Sequence, residues 1–108
     1  MPERCLLVLS TAGSPKEAEK IARGLLGKKL AACVNILPGA RSWYRWQGKI
    51  ESSQESLLFI KTTSSCLRKL TSALKELHSY DVPEIIALPI TAGDHVYLQW
   101  LKKNIKSP

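Results

Sequence analysis

The 108-residue sequence is poor in the groups that covalent and metal chemistry usually need: it has three cysteines and two histidines. With Cys5, Cys33 and Cys66 an odd number, at least one thiol cannot pair within the chain. Their gaps of 28 and 33 positions fit no C-x-x-C zinc or redox spacing. Each lies in an apolar or helical setting, so reduced thiols are expected. His95 falls in the first turn of the last expected helix, where a solvated side chain is the simplest role. His78 falls at the end of the second, where a cation suits the helix dipole. A nucleophilic enzyme needs a nucleophile with a base beside it, and this pattern supplies neither, so no catalytic activity is expected.

Long apolar runs are missing as well. Glu3 and Arg4 lead into an apolar stretch at residues 5–9 only, shorter than the core of a secretory signal and far shorter than a membrane span. The expectation is a cytoplasmic protein with no membrane contact. No repeat, low-complexity stretch or linker divides the chain, so one domain over residues 1–108 is expected. Apolar residues make up 44% of it, enough for a core. A domain this small often gains further stability by oligomerising.

The formal charge is +7, from sixteen Lys and Arg against nine Asp and Glu. The basic residues occur in pairs, Lys28-Lys29, Arg68-Lys69 and Lys102-Lys103, and not in tracts. Scattered charge reads as solvated surface, and no nucleic-acid partner is expected.

Residues 5–9 form a continuous apolar strand. Ser14, Pro15 and Glu17 compose a capping box, in which Ser14 accepts from open amides and Glu17 reaches back. Ala18, Ile21, Ala22, Leu25 and Leu26 then carry a helix to about Lys29. A second strand at 31–37 is broken by Pro38-Gly39 and resumes through the aromatic stretch 42–46. Gln47-Gly48 turns the chain into a long return strand ending near Thr63. The resulting hairpin is too long for the domain's own sheet, and such an arm offers itself to another strand. A helix at 65–79 places Leu67, Leu70, Leu74 and Leu77 on one stripe. A strand at 84–90 follows, with Pro89 pointing to an edge or bulge. Gly93-Asp94 caps a last helix with Val96, Tyr97, Trp100 and Leu101 on its packing side. The order βαββαβ plus a C-terminal helix predicts an α+β, ferredoxin-like domain with an antiparallel sheet.

That fold hosts unrelated functions. An RNA-recognition module needs exposed aromatics on its central strands, but these read Leu6-Leu7-Val8 and Leu57-Leu58-Phe59-Ile60. An acylphosphatase needs a phosphate cradle after the first strand with an Arg. The loop at 10–14 is small and polar but lacks the Arg.

Several stretches together resemble one family. They are residues 29–35 (KLAACVN), 42–51 (SWYRWQGKIE), 60–62 (IKT), 78–85 (HSYDVPEI), 88–90 (LPI), and Gly93 with residues 97–100 (YLQW). Spread over nearly the whole chain in order, they are similar to the CutA divalent-cation tolerance family. The resemblance implies a PII-like homotrimer in which the hairpin arm extends a neighbour's sheet. It also implies a non-catalytic role in the response to copper or other divalent metals. The family's proposed copper ligands are a Cys ending the first strand and a His pair before the Tyr turn. These fall on Ser10 and on Leu77-His78, so His78 alone keeps a ligating group. A hydroxyl replaces a thiolate poorly, and any copper or divalent-metal site is expected to be weak.

Tyr44, Trp46, Glu51, Lys61, Tyr80 and Glu84 are the candidates for a ligand cleft between subunits. The aromatic rings suit either an interface or ligand stacking. Lys61, in an apolar strand, calls for a carboxylate such as Glu51 or Glu84, or for an anion. The alternatives to metal response are a PII-like module sensing a small anion or nucleotide, and a purely anchoring trimer.

Overall fold

A computed structural model of the chain describes residues 3–105. The elements run β1 (Cys5–Ala12), α1 (Pro15–Gly27), β2 (Cys33–Trp46), β3 (Lys49–Thr63), a short 3-10 turn (Ser64–Cys66), α2 (Leu67–Leu77), β4 (Ile86–Pro89) and α3 (His95–Lys103). The four strands make one antiparallel sheet in the order β2-β3-β1-β4. Among the described residues no helix is long and apolar enough to cross a membrane.

Alternation along the central strands decides which face is covered. Val8, Leu58 and Ile60 point to one side, where they are fully buried with Ile21 and Leu25 of α1 and Leu70 and Leu74 of α2. Each such side chain contributes about 1.5–3 kcal/mol by leaving water. Gly24 lets the two helices approach, since a Cβ there would come within 2.7 Å of the Leu77 Cδ1. On the opposite side Leu7, Leu9, Leu57 and Phe59 are only half-buried. Leu37, Ile86 and Leu88, their lateral partners on that face, are exposed.

The hairpin differs from its sequence-based outline in one respect. Pro38-Gly39 does not break the strand; β2 continues to Trp46 through a bulge between Leu37 and Ala40, with Gly39 at φ 83°. A bulge leaves the proline outside the ladder and lets pairing resume. Gln47 and Gly48 close the ribbon at φ 51° and 79°, the paired left-handed values of a type I′ turn. Because β1 meets β3 no farther than Ser56, residues 40–55 pair only with each other. They form an arm on a body whose longest dimension is 44 Å against 25 and 23 Å.

Other boundaries shift by local chemistry. Helix α1 stops at Gly27, and Lys29 takes φ 57° to leave it. Helix α2 begins at Leu67 after the 3-10 turn and ends at Leu77. Strand β4 is a four-residue edge strand finishing at Pro89, which has no amide to donate onward. Asp94 caps α3 by accepting from the Tyr97 amide at 3.0 Å. The expected packing side of α3 is divided: Leu101 is fully buried, but Val96, Tyr97 and Trp100 are exposed and lie against no core.

Candidate functional site

The capping box at the start of α1 does more than end a helix. Ser14 Oγ accepts from the Glu17 amide at 3.1 Å. Glu17 does not turn back to Ser14; its Oε1 accepts from the Gly13 amide at 3.1 Å and its Oε2 from the Ser79 amide at 2.8 Å. Partial burial pushes this carboxyl up, but hydrogen bonds from Ser79 and Gly13, with His78 close by, outweigh it and hold it below the usual carboxylate range.

This anchoring fixes the segment that follows α2. His78, beyond the last turn of α2, has a fully buried side chain. Its Nε2 donates to the Thr11 carbonyl at 2.6 Å, and its Nδ1 accepts from the Tyr80 amide at 3.1 Å. The rings of His78 and Tyr80 stand 4.6 Å apart. Both imidazole nitrogens are therefore occupied, and neither offers a lone pair to a metal. In this geometry His78 holds the segment after α2 in place.

Neither of the other two family positions carries a thiolate or an imidazole. Ser10 is buried on the helix-covered face with its Oγ unbonded among the described residues, and Leu77 packs over Gly24. Among the described residues no group of three or more His, Cys, Asp or Glu could hold a metal ion.

Positioned in this way, Tyr80 reaches β3. Its hydroxyl donates to Glu55 Oε2 at 2.7 Å. Burial, this bond and the negative charge of Glu55 and Glu17 all raise the phenol well above its ordinary range, so it stays protonated and remains a donor. The pair forms the floor of a cavity of about 610 Å³ between the arm and the segment after α2. Thr11, Ser42, Trp43, Tyr44, Trp46, Glu51, Asp81, Val82 and Glu84 complete its lining. Tyr44 is braced by a 3.3 Å hydrogen bond to Ser53 across the ribbon.

Five of the six cleft candidates thus meet at one place: Tyr44, Trp46, Glu51, Tyr80 and Glu84. Lys61 does not join them. It lies six residues beyond Glu55 on the same strand, a separation of about 20 Å at strand rise. Neither expected carboxylate pairs with it in the chain. Its Nζ donates to Asn35 Oδ1 at 2.9 Å and sits 5.8 Å from the centre of the Tyr97 ring. Sequence reasoning missed Glu55, which is 8% exposed. The available signal was register: Glu55 continues the alternation of Lys61, Phe59 and Leu57 and so faces the same side of the ribbon.

Three comparisons bear on this arrangement. The family model described as CutA1 divalent ion tolerance protein matches residues 6–104. The divalent-cation tolerance protein CutA of Thermus thermophilus is 51% identical over 98 residues, covering 91% of this chain and 95% of its own length. The chloroplastic protein CutA of Arabidopsis thaliana is 47% identical over 94% of this chain, which spans 56% of that longer relative. The crystal structure of CutA1 from Oryza sativa superimposes with a TM-score of 0.95 at 44% identity, covering 97% of this chain and 96% of that one.

Proposed function

The chain belongs to the CutA1 divalent ion tolerance family, and from that premise we propose that it is a non-catalytic homotrimeric binding protein acting in the response to divalent metal ions. Each subunit is a ferredoxin-like domain of PII-like assembly, lending its arm to a neighbour's sheet. The observation carrying this reading is the unshared ribbon: residues 40–55 pair only with themselves. Both outer strands, β2 and β4, leave one edge unpaired, and unpaired edges recruit strands. The exposed apolar side chains of Leu37, Ile86 and Leu88 lie on the same open face and lose water when a second copy covers it. Cys5 and Cys33 are free thiols, which suits a reducing compartment, the cytoplasm.

The cavity beneath the arm is the binding site in this reading, and its carboxylates favour cations. That argues against the sensor of anions or nucleotides, for which a basic lining is needed. Metal binding is weak and oxygen-based, because no thiolate faces the cavity and His78 is engaged. Light scattering on the purified chain should give a three-chain mass at micromolar concentration; a stable monomer overturns the assembly. Calorimetry with copper should show no tight site, and His78→Ala should leave the copper isotherm unchanged while lowering thermal stability.

A further inference from the structure

Two of the three basic pairs that stand apart in the sequence meet in the fold. Lys28-Lys29 follows α1 and Arg68-Lys69 opens α2, and all four side chains line one groove of about 820 Å³. Lys29 also borders the adjacent depression, together with Lys103 of the third pair. The groove lies on the helical layer, away from the arm and from the open sheet face where Leu37, Ile86 and Leu88 are exposed. Association through arms, sheet edges and open faces does not call on it.

The four cations have no internal partner. Among the described residues none of their side chains makes a hydrogen bond or an ion pair. Glu76, the carboxylate on the lining, follows Arg68 and Lys69 by eight and seven residues, about 10–12 Å along the helix. That is beyond the three- or four-residue spacing at which helix charges pair.

Two of these placements run against local preference, in two different elements. Lys29 leaves α1 at φ 57°, a left-handed position where glycine, without a Cβ, is the usual residue. Arg68 and Lys69 occupy the first turn of α2, which holds no acidic residue, so their charge adds to the positive end of the helix dipole. Helix stability favours neither placement, whereas binding an anion requires the side chains that stand there.

The lining also selects among anions. Beyond the charged groups it holds only Gly27, Ser72 and the buried Leu30 and Ala73. Nucleobases are held by stacking on aromatic rings, and membrane-surface elements anchor by inserting apolar side chains; the groove supplies neither. Four cations and a hydroxyl along an open groove fit an anion charged along its length. We propose that this groove binds a soluble oligophosphate, with Lys28, Lys29, Arg68 and Lys69 as its counter-charges. The site is separate from the acidic cavity under the arm, and the inference does not rest on the function read from that cavity.

The test is calorimetry of the full chain with sodium tripolyphosphate, orthophosphate and a single-stranded DNA oligonucleotide. Tripolyphosphate should bind about tenfold or more tightly than orthophosphate, and its affinity should fall as sodium chloride is added. Arg68→Gln combined with Lys69→Gln should weaken tripolyphosphate binding by about tenfold or more. Lys29→Gly should weaken it too while the melting temperature holds or rises, because glycine relieves the left-handed position. Lys16→Gln combined with Lys20→Gln removes the same charge from α1 outside the groove. It should leave the affinity within about twofold, since exposed charges farther than a Debye length are screened. Equal affinity for tripolyphosphate and orthophosphate, or no binding of either, overturns the proposal. So does an equal loss on substituting Lys16 and Lys20, because the attraction is then one of net charge. An oligonucleotide bound more tightly per phosphate overturns it in favour of nucleic acid.

Discussion

Glu17 ties three pieces of chain together: its amide donates to the Ser14 cap, and its carboxylate accepts from Gly13 before it and from Ser79 after α2. Because its carboxyl is held below the ordinary value of 4.5, it stabilises the fold fully above that value and less as pH falls through the depressed one. Glu17→Gln should therefore cost about 1–3 kcal/mol at neutral pH and flatten the acid limb of stability, read by urea denaturation from neutral pH downward. His78 repeats the lesson at the next position. Removing its ring leaves the buried Thr11 carbonyl without its donor and the Tyr80 amide without its acceptor. His78→Ala should cost about 2–4 kcal/mol by thermal melting. A loss of copper affinity greater than the loss of folded protein would contradict the positioning role. The sequence marked both residues as capping or helix-end groups. Each has one partner more than sixty positions away in sequence, Ser79 for Glu17 and Thr11 for His78, which no local pattern encodes.

At the scale of elements, the ribbon shows how a turn governs an arm. Gln47 carries a left-handed φ of 51° that a branched-free but bulky side chain tolerates poorly. Replacing it by Asn gives the Asn-Gly pair most at ease in a type I′ turn. Gln47→Asn should raise stability by about 0.5–1 kcal/mol, whereas Gly48→Ala should lower it by about 1–2 kcal/mol, both measured by chemical denaturation. The two helices, the hairpin and its turn were legible because periodicity and turn chemistry are local. The bulge at Pro38-Gly39 was not, since a proline reads as an interruption until the partner strand shows pairing on both sides. The outward side of α3 was also illegible. A stripe of Val96, Tyr97 and Trp100 at helical spacing signals burial, yet the element has only one flank on the core.

For the whole molecule, the apolar surface left outside the core is the feature to be accounted for. Trp43, Trp46 and Ile50 on the arm, and Ile86 and Leu88 on β4, are at least two-fifths exposed. Association should bury much of it, so the melting temperature should rise with protein concentration, as mass action requires. Substituting Ile86→Asp and Leu88→Asp together should reduce the mass seen by light scattering to that of one chain while far-ultraviolet dichroism keeps its folded shape. A concentration-independent melting point in the wild type would count against association.

Composition and periodicity determined the number and type of the elements, the antiparallel hairpin and the richness of the arm in aromatics, because each depends on neighbours a few residues apart. The family resemblance carried by the sequence motifs singled out Tyr44, Trp46, Glu51, Tyr80 and Glu84 as cleft candidates. Only the tertiary structure decided that these five share a cavity and that Lys61 stands at the other end of its strand. It alone exposed the buried Glu55 and the engaged nitrogens of His78. Proximity and burial arise from how the sheet, arm and loop close on one another, and that closure is a property of contacts between distant residues.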